Sequence, residues 1–125
     1  RDRSVSRGLG DVYKRQAVKQ YIREQLAVKK QQGQKICVVE AALLLEDHYQ
    51  EFCDTIWYIH TDEEIRIRRL MENRGYTREK SVSIIASQAP ETFFRENADY
   101  VVVNNGDFAQ TRRQIEEGIR KYETL

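Results

Sequence analysis

The chain has 125 residues, 40% hydrophobic and 33% charged, and its 21 lysines and arginines nearly cancel 20 aspartates and glutamates to leave +1. That is enough apolar material for one core and too even a balance to drive association with nucleic acid or an anionic membrane. No apolar run approaches the ~20 residues that span a bilayer, and no secretory signal with an apolar centre is legible, so the reading is of a cytoplasmic protein with Cys37 and Cys53 reduced.

Residues 1–16 carry five basic side chains, Gly8, Gly10, Ser4 and Ser6, and no sustained apolar period. They read as a disordered arm that is not native to the domain, and fold reasoning starts at Ala17. Val18, Tyr21, Ile22 and Leu26 then mark one face of a helix that stops near Gly33. Residues 35–39 (Lys-Ile-Cys-Val-Val) form a continuous apolar run expected to be a buried strand, with Cys37 as a small core residue. Leu43, Leu44 and Leu45 follow in a turn or short helix. A loop over 47–53 leads to a second strand at about 55–59, which takes Trp57 and Tyr58 into the core. Thr61 and Glu64 satisfy the capping-box pattern for a helix starting at Asp62. Gly75 breaks that helix, Thr77 caps another through Ile84, Ile85 and Ala86, and Pro90 ends it. Phe93 and Phe94 belong to a short helix that packs back on its neighbours. Residues 100–103 (Tyr-Val-Val-Val) are a third strand, and Asn104, Asn105 and Gly106 make a tight turn before a last helix with Phe108, Ile115, Ile119 and Tyr122 inward. Strands separated by helices imply parallel pairing with right-handed crossovers, an α/β fold.

The helix after Thr61 is the informative one. At 100° per residue Ile67, Leu70 and Met71 share one face, Arg66, Arg69 and Asn73 share a flank, and Arg74 projects near the apolar face, where a bland surface helix carries no charge. Arginine is always charged and offers a planar fork of donors that fits phosphate oxygens two at a time, so such a cluster beyond a strand's carboxyl end points to a phosphate-handling site. A solvated helix face is the commoner outcome for charged helices. The acids Asp62, Glu63, Glu64, Glu72 and Glu79 match the five arginines of this stretch in number, which weakens a nucleic-acid reading. His48 and His60 receive no role.

These residues resemble the dephospho-CoA kinase family of P-loop kinases. The resemblance lies in residues 38–46 (Val-Val-Glu-Ala-Ala-Leu-Leu-Leu-Glu), in 64–70 (Glu-Ile-Arg-Ile-Arg-Arg-Leu) with Arg74, in Ala86, Ser87 and Gln88, and in Ala98 and Asp99 followed by 101–106. It covers nearly everything from Ala17 onward. Where the family has Asp-x-Pro-Leu-Leu-x-Glu, this chain has Glu40 for the Asp and Ala42 for the Pro.

The resemblance implies a partial P-loop kinase fold, a doubly wound parallel sheet with a helical lid over about 62–97. It implies ATP-dependent phosphorylation of the ribose 3′-hydroxyl of dephospho-CoA, with Mg2+, in a monomer that binds neither nucleic acid nor membrane. Arg69 and Arg74 become lid arginines acting on the phosphoryl group and Arg66 a nucleotide contact. Asn104, Asn105 and Gly106 take the adenine side, and Leu43, Leu44 and Glu46 the dephospho-CoA side. The glycines at 8, 10, 33, 75, 106 and 118 never form G-x-x-x-x-G-K-[ST], so the expectation is a C-terminal part of such an enzyme, lacking the P-loop strand and inactive alone. Another small-molecule kinase, of the nucleoside monophosphate type, and a non-enzymatic basic binding module using Trp57, Tyr58 and the arginines are the alternatives.

Overall fold

Apolar residues at helical spacing become helices here, but a short apolar run becomes a strand only where a second one lies beside it to complete the ladder. The computed structural model describes the backbone of residues 3–123 and the side chains of residues 10–123. The chain divides between Asp54 and Thr55 into two compact units.

The first unit opens with α1 (Arg3–Gln31). Its backbone is helical across residues 3–16, where the composition suggested a disordered arm; residues 1 and 2 lie outside the described residues. That stretch has no proline, and extending an existing helix adds one hydrogen bond per residue fixed, so two glycines at about 1 kcal/mol each do not stop it. α1 ends in a Schellman motif: Gly33 is left-handed (φ 83°), Gln34 N donates to Lys29 O and Gly33 N to Lys30 O. Ile22 and Leu26 are half-buried, while Val18 and Tyr21, assigned to the same inward face, are exposed. The expected strand at 35–39 does not form. Among the described residues nothing pairs with it, Cys37 is exposed rather than in the core, and Val38 is 88% exposed. Residues 43–48 turn back on themselves through Asp47 N to Leu43 O and Tyr49 N to Leu44 O, His48 takes a left-handed conformation, and a 3-10 turn follows at Tyr49–Glu51. Among the described side chains of this unit Leu45 and Tyr49 are buried, with Tyr49 against Phe52. Cations of α1 flank them: Arg23 lies 5.1 Å over the Phe52 ring and Arg15 lies 3.8 Å from Asp47.

The second unit is α/β. Strand β1 (Trp57–His60) pairs in parallel with β2 (Tyr100–Val103) in the register Trp57 to Tyr100 through His60 to Val103. Three helices make the crossover: α2 (Glu63–Arg74), α3 (Arg78–Ala86) and α4 (Glu91–Asn97). Beyond β2, α5 (Phe108–Glu123) packs back on the sheet. The entry to the pair is fixed by Asp99, whose carboxylate accepts from Ile56 N at 2.7 Å while its own N–H donates to Ile56 O. Val102, Ile56 and Ile67 are buried. Gly118 lets α5 approach so closely that a Cβ there would lie 2.6 Å from the rings of Trp57 and Tyr100.

Helix boundaries follow local chemistry. Gly75 (φ 66°) terminates α2, and the Thr77 hydroxyl accepts from Lys80 N at 3.1 Å to start α3. Two expectations change. α3 is closed at Ser87, whose hydroxyl donates to Ile84 O, and Pro90 serves as the N-cap position of α4 instead of ending α3. Phe108 is 76% exposed, since it is the first residue of α5 and its side chain precedes the face that meets the sheet.

Candidate active site

The arginine helix follows directly from the carboxyl end of β1, which puts its root at the end of the sheet where open α/β folds bind ligands. Arg66, Arg69 and Arg74 come together with Leu70 and Asn73 of α2 and Ile84 and Ile85 of α3, beside Gln88, around an open concavity of about 270 Å3. Spacing explains the convergence: positions 66, 69, 70, 73 and 74 form one stripe of an α-helix. Arg66 donates to the Gln88 side chain. Among the described residues neither Arg69 nor Arg74 forms an ion pair, whereas Arg78 is held by Glu64 at 2.6 Å. The groove therefore has cationic donors over an aliphatic floor, an arrangement suited to an anion carried on an apolar or planar group.

The capping box expected at the root of α2 is absent, because each of its polar residues points elsewhere. Thr61 Oγ1 donates to Asn104 O at 3.2 Å, and Glu64 takes Arg78. Asp62 stands at the N-cap but makes no side-chain bond to its own helix; its carboxylate lies 2.8 Å from His60 Nε2. The His60 hydrogen bond, helped by Asn105, holds the Asp62 carboxyl below the usual carboxylate range, and the Arg78 hydrogen bond does the same for Glu64.

His60, to which the residue pattern gave no role, is 7% exposed and central to this end of the sheet. A carboxylate can only accept, so Nε2 donates to Asp62, and Nδ1 lies 3.1 Å from the Tyr58 hydroxyl. Burial, with Glu91 next in size, pushes the Tyr58 hydroxyl above the usual phenol range. Glu91 Oε1 is 3.5 Å from Nδ1 and is also taken by Arg95. A signal was present in the sequence: a histidine two residues before an aspartate at a strand end.

The 104–106 turn sits at the end of β2 and meets the root of α2. Asn104 N donates to His60 O at 2.7 Å, and Asp62 N donates to Asn105 Oδ1 at 2.8 Å. From α5, Thr111 Oγ1 donates to Asn104 Oδ1, so this turn is held from both sides. Arg66, Arg69 and Arg74 are thus brought together in one groove, and Asn104 and Asn105 are tied to the start of the same helix. Leu43, Leu44 and Glu46 belong to the first unit, where Leu44 is half-buried and Leu43 and Glu46 are exposed. Trp57 packs on Tyr100, and Tyr58 stacks on Phe94, so both rings serve packing. Among the described residues no group of three or more His, Cys, Asp or Glu side chains could hold a metal ion.

A family model for dephospho-CoA kinase matches residues 11–110. The dephospho-CoA kinase of Shouchella clausii is 31% identical over 105 residues, covering 84% of this chain and 53% of that protein. That of Geobacillus kaustophilus is 33% identical over 93 residues, covering 74% and 46%. The chain spans about half the length of the curated relatives it matches. The crystal structure of TT1252 from Thermus thermophilus superposes with a TM-score of 0.59 over 78% of this chain and 52% of that one, at 23% identity, a likeness of fold. The α/β layout with its parallel strand pair agrees with that likeness of fold. With the family match extending over the arginine helix, both strands and the turn that joins them to α5, the chain belongs to the dephospho-CoA kinase family.

Proposed function

We propose that this chain supplies the lid and the nucleotide-side turn of an enzyme that transfers the γ-phosphoryl group of ATP to the ribose 3′-hydroxyl of dephospho-CoA. The observation that carries this is the convergence of Arg66, Arg69 and Arg74 on one groove, with Arg69 and Arg74 free of carboxylate partners among the described residues, in a member of that family. In such a transfer the hydroxyl oxygen bonds to the γ-phosphorus as the bond to ADP breaks, and the protein's main task is alignment and compensation of negative charge. Arg69 and Arg74 would meet the phosphoryl oxygens, and closure of residues 62–97 would exclude water. Arg66, whose fork is partly used by Gln88, is the nucleotide contact, with Asn104, Asn105 and Gly106 on the adenine side. Leu43, Leu44 and Glu46 are the dephospho-CoA side in this reading. A cytoplasmic monomer that does not bind nucleic acid completes it. Among the described residues no helix is long and apolar enough to cross a membrane.

The test is a complete enzyme in which this chain replaces the matching part of the Geobacillus kaustophilus relative. Arg69→Ala and Arg74→Ala should each lower kcat by about 100-fold or more, the range seen when a transition-state donor is removed, with little change in melting temperature. Unchanged turnover in both would return the arginines to the solvated surface.

A further inference from the structure

We propose that Asp62 is a two-position latch at the root of the arginine helix, with its carboxylate held by His60 in the present conformation and able to swing onto the first-turn amides of α2. The inference goes beyond the kinase reading and does not depend on it.

An aspartate at an N-cap ordinarily accepts from the amide two or three positions on, here Glu64 or Ile65. Asp62 has the right residue type and position and an extended backbone (φ −59°, ψ 145°), and its carbonyl accepts the first helical bond from Arg66 N at 3.0 Å. Its carboxylate nevertheless makes no bond to α2 and lies on His60 Nε2 at 2.8 Å. His60 is buried and fixed on its other side by Tyr58, so the imidazole cannot follow if α2 moves. The carboxylate can, because Asp62 is exposed. A rotation of α2 away from the sheet would break the His60 contact together with the Asp62 N to Asn105 Oδ1 bond, and the freed carboxylate would then find the unfilled cap of its own helix. As placed, the carboxylate serves the sheet and leaves the cap of α2 unfilled, so the joint has two arrangements open to it.

His60 is then a positioning residue that acts through Asp62, and its removal has an unusual sign. A residue that only stabilised the fold would, when deleted, expose α2; deleting this one should strengthen the start of α2. The measurement is amide hydrogen exchange of Glu64 and Ile65, read by NMR in the full 125-residue chain. His60→Val should slow exchange at one of these amides by about fivefold, the protection expected of an occupied N-cap. His60→Gln, which keeps a side-chain donor, should match the parent. Asp62→Ala should leave both amides unchanged, since the carboxylate does not hold them in the latched form. Faster exchange at both amides in Asp62→Ala would mean that Asp62 already caps α2, and unchanged or faster exchange in His60→Val would reduce His60 to a packing role. Either result overturns the latch. His60→Leu carries the same test should His60→Val fail to fold.

Discussion

Gln114 reaches from α5 to the last residue of β2 and pairs with both polar groups of Val103: Val103 N donates to Gln114 Oε1 at 2.7 Å, and Gln114 Nε2 donates to Val103 O at 2.8 Å. One carboxamide thus does what a neighbouring strand would do, and it completes the outer side of β2 one residue before the 104–106 turn. Replacing Gln114 with Met keeps the length and removes both bonds. Because Val103 is partly open to water, the loss should fall near the lower end of the range for unpaired backbone groups, about 1–2 kcal/mol in urea denaturation. A variant as stable as the parent would show that water satisfies Val103 equally well.

Gly118 sets the separation of α5 from the sheet. Gly118→Ala raises helix propensity by about 1 kcal/mol, yet its methyl would lie 2.6 Å from the rings of Trp57 and Tyr100, which are themselves packed together at 4.8 Å between centroids. Overpacking of this kind costs about 1–3 kcal/mol, so the steric term wins and the variant should be less stable than the parent. The Trp57 fluorescence spectrum should shift in the same variant, because its ring is the nearest neighbour of the new methyl. A stabilised Gly118→Ala protein would mean that α5 can move outward at little cost.

What the residue pattern made legible depended on whether the signal was local. Gly75, Thr77 and the 100–103 run act through their own backbone conformation, a side-chain cap or a β-branched sequence, and each appears where the pattern put it, β1 being displaced by one or two residues. The 35–39 run has equal β propensity but no partner among the described residues, and propensity alone does not make a strand. The capping box failed for a related reason. Thr61, Asp62 and Glu64 have the right spacing for α2, but Asn104, His60 and Arg78 compete for them from 14 to 43 positions away in the chain or from the preceding strand, and spacing carries no information about such competitors. At the candidate site the helical stripe of Arg66, Arg69 and Arg74 was readable because it is periodic. The role of His60 was not, because it rests on a buried contact set.

The pairing of Glu64 with Arg78 joins α2 to α3 and gives acid stability a direction. The Arg78 hydrogen bond lowers the folded-state pKa of Glu64, so its contribution is fully present above the unfolded value of about 4.3 and is lost as pH falls through the folded value. Asp62, lowered by His60, acts in the same sense. Both groups are exposed, so the effect is modest and screened by salt. Chemical denaturation between pH 5 and about 2.5 should show a shallower loss of stability for Glu64→Gln than for the parent, with the two curves converging at the acid end. Parallel curves would mean that the pair contributes nothing in solution.

The last prediction concerns what these arginines can do without a phosphate cradle. Three guanidinium groups on one groove can attract a triphosphate, but in-line transfer also needs the β- and γ-phosphates fixed, and P-loop kinases do this with backbone amides and a lysine from G-x-x-x-x-G-K-[ST]. No such motif occurs in the 125 residues. The chain by itself should therefore give no ATP-dependent phosphorylation of dephospho-CoA above a protein-free control. Completing it with the part of the Geobacillus kaustophilus relative that this chain does not cover should restore turnover. Product formation by the 125-residue chain alone would refute the division of labour proposed for this family member, since the arginine groove would then suffice for both binding and transfer.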